Sequence, residues 1–143
     1  MYFEHINVGD CISLPPLKVD KDDMVAFAKR FNPVPMHIDE EYAKTTRAGA
    51  LTSSGLYTFA LMWAEYVADD FGGEQTIAGT SMKLDFLAPV FAGDTLEGKA
   101  TVTDKRERNA YNGIFTVKIE VSANGKPALT AFVDTVVKRE GER

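Results

Sequence analysis

Of the two histidines in this chain, His37 sits in a context that could do chemistry. It closes the run Asn32-Pro33-Val34-Pro35-Met36-His37, in which two prolines fix their own φ angles, restrict the residues before them and cannot donate backbone hydrogen bonds. A rigid loop over residues 32–37 is therefore predicted. Imidazole titrates near neutral pH, so a histidine held on such a loop can act as a general base. On its own it reads as a structural residue that fixes the loop. Asn32 can orient a water through its amide but has no useful basicity. The neighbouring carboxylates, Asp39 and Glu40, read as a helix cap and a solvated first-turn charge. Ser53-Ser54-Gly55 precedes an apolar stretch, which makes the serines helix caps; Ser54 could also meet a ligand carbonyl. The G-x-S-x-G elbow of serine hydrolases is absent, so a serine nucleophile is not expected. His5 lies near a terminus expected to be poorly ordered and is given no role. Cys11 is the only cysteine: no internal disulfide can form, thiolates are too few for a zinc or iron-sulfur site, and it reads as a small buried strand residue.

The elements that must carry these residues fall into two halves of different period. A short apolar stretch, Cys11-Ile12-Ser13-Leu14, is followed by Pro15 and Pro16, which are expected to break the chain. Asp20 reads as the N-cap of a helix with Asp22 and Asp23 in its first turn and Met24, Val25, Phe27 and Ala28 as its buried stripe, ending near Asn32. Asp39 is placed to cap a second short helix over residues 40–46, with Gly49 in the loop that follows. From Gly55 a longer helix begins in which Leu56, Tyr57, Phe59, Met62, Trp63, Tyr66 and Val67 leave almost no polar face, so it should be wrapped on most sides. Phe59, Met62, Trp63 and Tyr66 read as core or dimer packing. Strands follow: Met82, Leu84 and Phe86 alternate with polar partners, as do Leu96, Ala100 and Val102, then Phe115, Val117, Ile119 and Val121. Asn124-Gly125 signals a hairpin into a last strand over residues 128–137. Period alone gives an α+β domain, a buried helix beside an antiparallel meander.

With 143 residues and 45% hydrophobic content, one core can be filled, so residues 1–143 are taken as a single domain. Glu4, Asp10 and Asp20 interrupt the first twenty residues, which do not read as a signal peptide, and a cytoplasmic location is expected. Glu65 interrupts the apolar helix, which is too short for a membrane span. The net charge of −5 is dispersed along the chain, which argues against a nucleic-acid surface. The one basic cluster, Lys105, Arg106 and Arg108 before Tyr111, could meet the phosphates of a nucleotide-bearing ligand, although such short mixed-charge runs usually form a solvated loop.

The stretch Phe27-Ala28-Lys29-Arg30-Phe31-Asn32-Pro33-Val34-Pro35-Met36-His37-Ile38-Asp39, continued by Tyr42-Ala43, resembles the hydratase motif of the MaoC-like dehydratase and (R)-specific enoyl-CoA hydratase family. Thr52-Ser53-Ser54-Gly55-Leu56, Phe86-Leu87-Ala88-Pro89-Val90 before Gly93-Asp94-Thr95-Leu96, and the Asn-Gly hairpin fit the same family in order, so the resemblance spans residues 10–139. It implies a hotdog fold, an antiparallel sheet wrapped around a long central helix, in a homodimer or higher homo-oligomer with acyl-thioester sites at the dimer interface. A lone hotdog sheet would expose an apolar edge and face. Asn32 stands where the family's catalytic Asp is expected.

The resemblance implies an enoyl-CoA hydratase or 3-hydroxyacyl-CoA dehydratase, a hydro-lyase with His37 and Asn32 as the catalytic pair. The coenzyme A or acyl carrier belongs to the substrate, and no metal or other cofactor is expected. One group must take a proton from water as its oxygen attacks C3, and an acid must supply one at C2. Negative charge builds meanwhile on the thioester oxygen. Gly55, at the positive end of the central helix and without a side chain, is the candidate oxyanion donor, with Ser54 beside it. Losing the Asp weakens the hydratase case. An acyl-CoA thioesterase, or a non-catalytic acyl-thioester-binding protein or subunit, therefore stays open.

Overall fold

The computed structural model describes residues 1–141. Five strands, β1 (Cys11–Lys18), β2 (Thr76–Phe86), β3 (Thr95–Glu107), β4 (Asn112–Ala123) and β5 (Lys126–Lys138), form one sheet in the order β1-β3-β4-β5-β2, with every pairing antiparallel. Alternation does what period two requires: Phe115, Val117, Ile119 and Val121 of β4 are buried beside Leu96, Ala100 and Val102 of β3 and Leu129, Ala131 and Val133 of β5. Each large side chain so buried contributes ~1.5–3 kcal/mol. The opposite face carries Thr116, Lys118 and Glu120, half-buried. Asn124 and Gly125 close the β4–β5 hairpin at φ 51° and 81°, the pair of positive angles a type I′ turn demands.

Four helices precede or flank the sheet: α1 (Lys21–Phe31), α2 (Pro35–Ile38), α3 (Glu40–Lys44) and α4 (Gly55–Ala68). Asp20 caps α1 by accepting from the Asp23 amide, and Asp39 caps α3 by accepting from Tyr42, as their positions predict. Met62 and Tyr66 anchor α4 in the core. Gly98 of β3 makes the close approach possible: a Cβ there would lie 3.0 Å from Met62 Cε and 3.1 Å from the Glu120 carbonyl.

Several expectations are corrected. Pro15 and Pro16 do not break the chain but lie inside β1, an edge strand whose register shifts between Leu14 and Leu17, so no ladder hydrogen bond is asked of them. Cys11 is in that strand but exposed. The segment after Asn32 is not all loop, since Pro35 starts the helical turn α2 and suits its first position. The terminus near His5 is tied down: the Met1 amine donates to the Phe71 and Gly72 carbonyls, and His5 Nε2 lies 2.8 Å from Glu140 Oε2. Helix α4, expected to be wrapped on most sides, leaves Leu56, Ala60 and Val67 exposed. Met82, Leu84 and Phe86 share the helix-side face with Val133, Ala131 and Leu129, yet Met82 and Phe86 are 49% and 56% exposed. Their strand is the other sheet edge. Lys105 and Arg106 belong to β3 rather than to a loop, and Lys105, Arg106 and Arg108 all have partners within the chain: the Ile6 carbonyl, Asp104 with Asp134, and Asn112. No helix among the described residues is long and apolar enough to cross a membrane.

Candidate active site

A cavity of about 650 Å³ opens between the N-terminus of α4, the α2 turn and the end of β2. Its lining includes Asn32, His37, Thr52, Ser53, Gly55 and Phe86. The size is that of a small-molecule site.

His37 is held on α2 with only 5% exposure. Its Nδ1 lies 2.7 Å from the Thr52 carbonyl, with Thr52 Oγ1 at 3.2 Å. A carbonyl oxygen only accepts, so Nδ1 carries the proton and Nε2 is left as the lone-pair nitrogen of the neutral ring. Nε2 has no hydrogen-bond partner among the described residues, although it is not sealed in the interior. The backbone carbonyl thus sets the tautomer that a base facing this cavity needs.

Asn32 is the C-cap of α1, its amide donating to the Ala28 carbonyl at 2.9 Å. Its φ of −156° lies outside the left-handed region that favours glycine or asparagine at a helix end, so helix termination does not require asparagine there. The side chain is engaged: Nδ2 donates to Ser54 Oγ at 2.8 Å, which leaves Oδ1 as the free acceptor. Asn32 and His37 line one cavity from two different helices.

Ser54 occupies the N-cap position of α4 but makes no capping bond with its side chain, and it is wholly buried. Its hydroxyl serves Asn32 instead. Ser53, expected as a cap, bonds Thr58 Oγ1 at 2.9 Å and the Ser54 carbonyl at 3.1 Å. Ser53 rather than Ser54 reaches the cavity wall. With no side-chain cap, the N-terminus of α4 keeps its first amides as donors at the positive end of the helix dipole. Gly55 is there, but the space its missing side chain leaves is filled by the Phe86 ring, with which any Cβ would collide. Asp39 and Glu40 face elsewhere, the first capping α3 and the second paired with Lys21 at 2.7 Å.

Sequence reasoning missed Thr52, Phe86 and Arg47 as parts of the wall. Thr52 and Phe86 lay inside quoted motifs, but fifteen residues separate Thr52 from the ring it orients, and no local pattern reports such a pairing. Arg47 carries no motif at all.

A helix held by its apolar side on an antiparallel sheet is the hotdog arrangement. The MaoC like domain matches residues 7–123. A 3-hydroxybutyryl-CoA dehydratase of Methylorubrum extorquens is 31% identical over 146 aligned positions, covering 99% of this chain and 88% of that protein. The crystal structure of a MaoC-like dehydratase from Rhodospirillum rubrum superposes with a TM-score of 0.89 at 27% identity, covering 98% of both chains. An (R)-hydratase from A. caviae involved in PHA biosynthesis superposes at 0.76 with 25% identity, covering 92% of this chain and 97% of that one. The chain belongs to the MaoC-like family, and its fold is the hotdog fold.

Proposed function

We propose that this protein is a hydro-lyase of acyl-CoA thioesters, adding water across a 2-enoyl thioester or removing it from the 3-hydroxyacyl product, with His37 as its general base. The observation that carries the proposal is the 2.7 Å contact from His37 Nδ1 to the Thr52 carbonyl, which leaves Nε2 as the lone-pair nitrogen of a residue that lines the same cavity as Gly55 of α4. Nε2 takes a proton from water as the oxygen attacks C3, the α4 amides hold the enolate oxygen, and the imidazolium returns a proton to C2. Proton transfer of this kind needs no metal or redox group. Asn32 positions the water through Oδ1, since Nδ2 is committed to Ser54. The names of the Methylorubrum and Rhodospirillum relatives support the reaction class.

The working unit is proposed to be a homodimer or higher homo-oligomer. Edge strand β2 presents Ile77, Met82 and Phe86, with Leu87 just beyond, while α4 leaves Leu56 and Val67 uncovered, a surface that a second copy would bury. A cytoplasmic setting suits coenzyme A thioesters and the exposed free thiol of Cys11.

The test is a pair of assays, hydration of crotonyl-CoA and thiol release from saturated acyl-CoAs, on wild type, Asn32→Asp and His37→Ala. Restoring the carboxylate should raise hydration by about two orders of magnitude, the usual worth of a general acid-base partner. The Ser54 hydroxyl can turn to donate to the new carboxylate, so the substitution fits the existing contact. Thiol release without hydration in wild type and Asn32→Asp would identify a thioesterase. Binding of acyl-CoA, seen as a raised melting temperature with neither activity, would identify a carrier or a partner subunit.

A further inference from the structure

One wall of the cavity carries a charge that hydration does not use. Thr46, Arg47 and Ala48 enter the lining from the segment between α3 and α4. Thr46 Oγ1 is occupied, donating to the Ala43 carbonyl at 2.6 Å. Arg47 is exposed to the cavity mouth and, among the described residues, enters no hydrogen bond or ion pair. Among the described residues no other permanently charged side chain lines the cavity, whose remaining wall is neutral, with Met36, Leu87, Ala88 and Pro89 as apolar members. The nearest acidic residues in sequence are taken: Asp39 caps α3, Glu40 pairs with Lys21 and Glu41 with Lys44 at 2.9 Å. Asn32 is uncharged. The cavity therefore holds one guanidinium and no carboxylate to balance it.

A guanidinium is charged at every accessible pH and presents a planar fork of donors that matches carboxylate and phosphate oxygens. Left without a protein partner on the wall of a ligand-sized cavity, it complements an anion brought by the ligand. Resting on the acyl-thioester reading above, we infer that Arg47 is the anion-recognising residue of this cavity, binding a carboxylate or phosphate carried by the acyl thioester. The phosphate source is the coenzyme or carrier arm; the carboxylate source is the far end of a dicarboxylic acyl chain.

Three ligands separate these sources by isothermal titration of the full chain: crotonyl-CoA, the crotonyl thioester of N-acetylcysteamine, which has no phosphate, and the N-acetylcysteamine monothioester of fumaric acid, which adds only a carboxylate. Arg47→Gln should weaken crotonyl-CoA alone by about tenfold if phosphate is the partner, or the fumaric monothioester alone by about tenfold if carboxylate is, the loss expected for a charge-assisted bidentate contact. In either case the crotonyl N-acetylcysteamine thioester should bind within about twofold of wild type, and Arg47→Lys should recover part of the loss by keeping the charge without the fork. Unchanged affinity of Arg47→Gln for all three, or equal weakening of all three, overturns the inference and leaves the acyl-thioester reading standing. Failure of wild type to bind any of the three overturns both.

Discussion

The corner around the N-terminus of α4 and the face of the sheet beneath the helix are both buried, but by opposite means. Under the helix the sheet buries Phe115, Val117, Ile119, Leu96 and Val133, with Thr135 as its one buried polar member. In the corner, His37, Thr52, Ser53, Ser54 and Thr58 are all buried, and each side chain has a hydrogen-bond partner. Dispersion and the hydrophobic effect make the first region a source of stability. The second gains little net stability from its hydrogen bonds, because they replace bonds to water. What the corner obtains instead is fixed orientation: one imidazole tautomer, one amide rotamer and an uncapped helix end. The far end of the same helix breaks the corner's rule. There the Tyr66 hydroxyl is buried without a partner among the described residues, and burial, reinforced by Asp70, pushes its pKa above the usual phenol range.

The sharpest way to break this contrast is to exchange the readouts. His37→Ala should lower hydration of crotonyl-CoA by about two to four orders of magnitude while the melting temperature falls only modestly, since one carbonyl loses its donor. A wild-type rate in that variant removes the mechanism. Phe115→Ala, in the sheet, should cost ~3–5 kcal/mol in chemical denaturation, with the surviving folded fraction keeping its specific activity. Two glycines sharpen the contrast further. At Gly98 an added methyl meets the Glu120 carbonyl at 3.1 Å and Met62 Cε at 3.0 Å, so Gly98→Ala should destabilise by ~1–3 kcal/mol. At Gly55 the obstacle is the ring of Phe86, a cavity-lining side chain rather than backbone, so Gly55→Ala should change kcat/KM far more than unfolding free energy. The smallest effect is a gain: Tyr66→Phe removes the orphaned hydroxyl and should stabilise by ~1 kcal/mol, measured by urea unfolding.

Much of this is legible in the sequence, and the reasons are local. Asp20 and Asp39 cap the helices they precede, and the Asn124-Gly125 turn and the alternation from Phe115 to Val121 sit where short-range chemistry places them. The failures share a cause. Pro15 and Pro16 are tolerated because β1 lies at an edge, Met82 and Phe86 are exposed because β2 lies at the other, and strand order is not written in any one strand. Ser54 stands at the N-cap as expected, but its hydroxyl serves Asn32, a partner twenty-two residues away, instead of capping.

The sequence by itself determined that a Pro-flanked histidine and an apolar helix opening on Gly55 would exist, because φ restriction, capping and hydrophobic period act within a few residues. Only the tertiary structure decided what they do together. Folding across the sheet brings the Thr52 carbonyl to His37, Ser54 to Asn32 and the Phe86 ring to Gly55. A hydrogen bond or a van der Waals contact depends on distance in space, and no spacing along the chain encodes it.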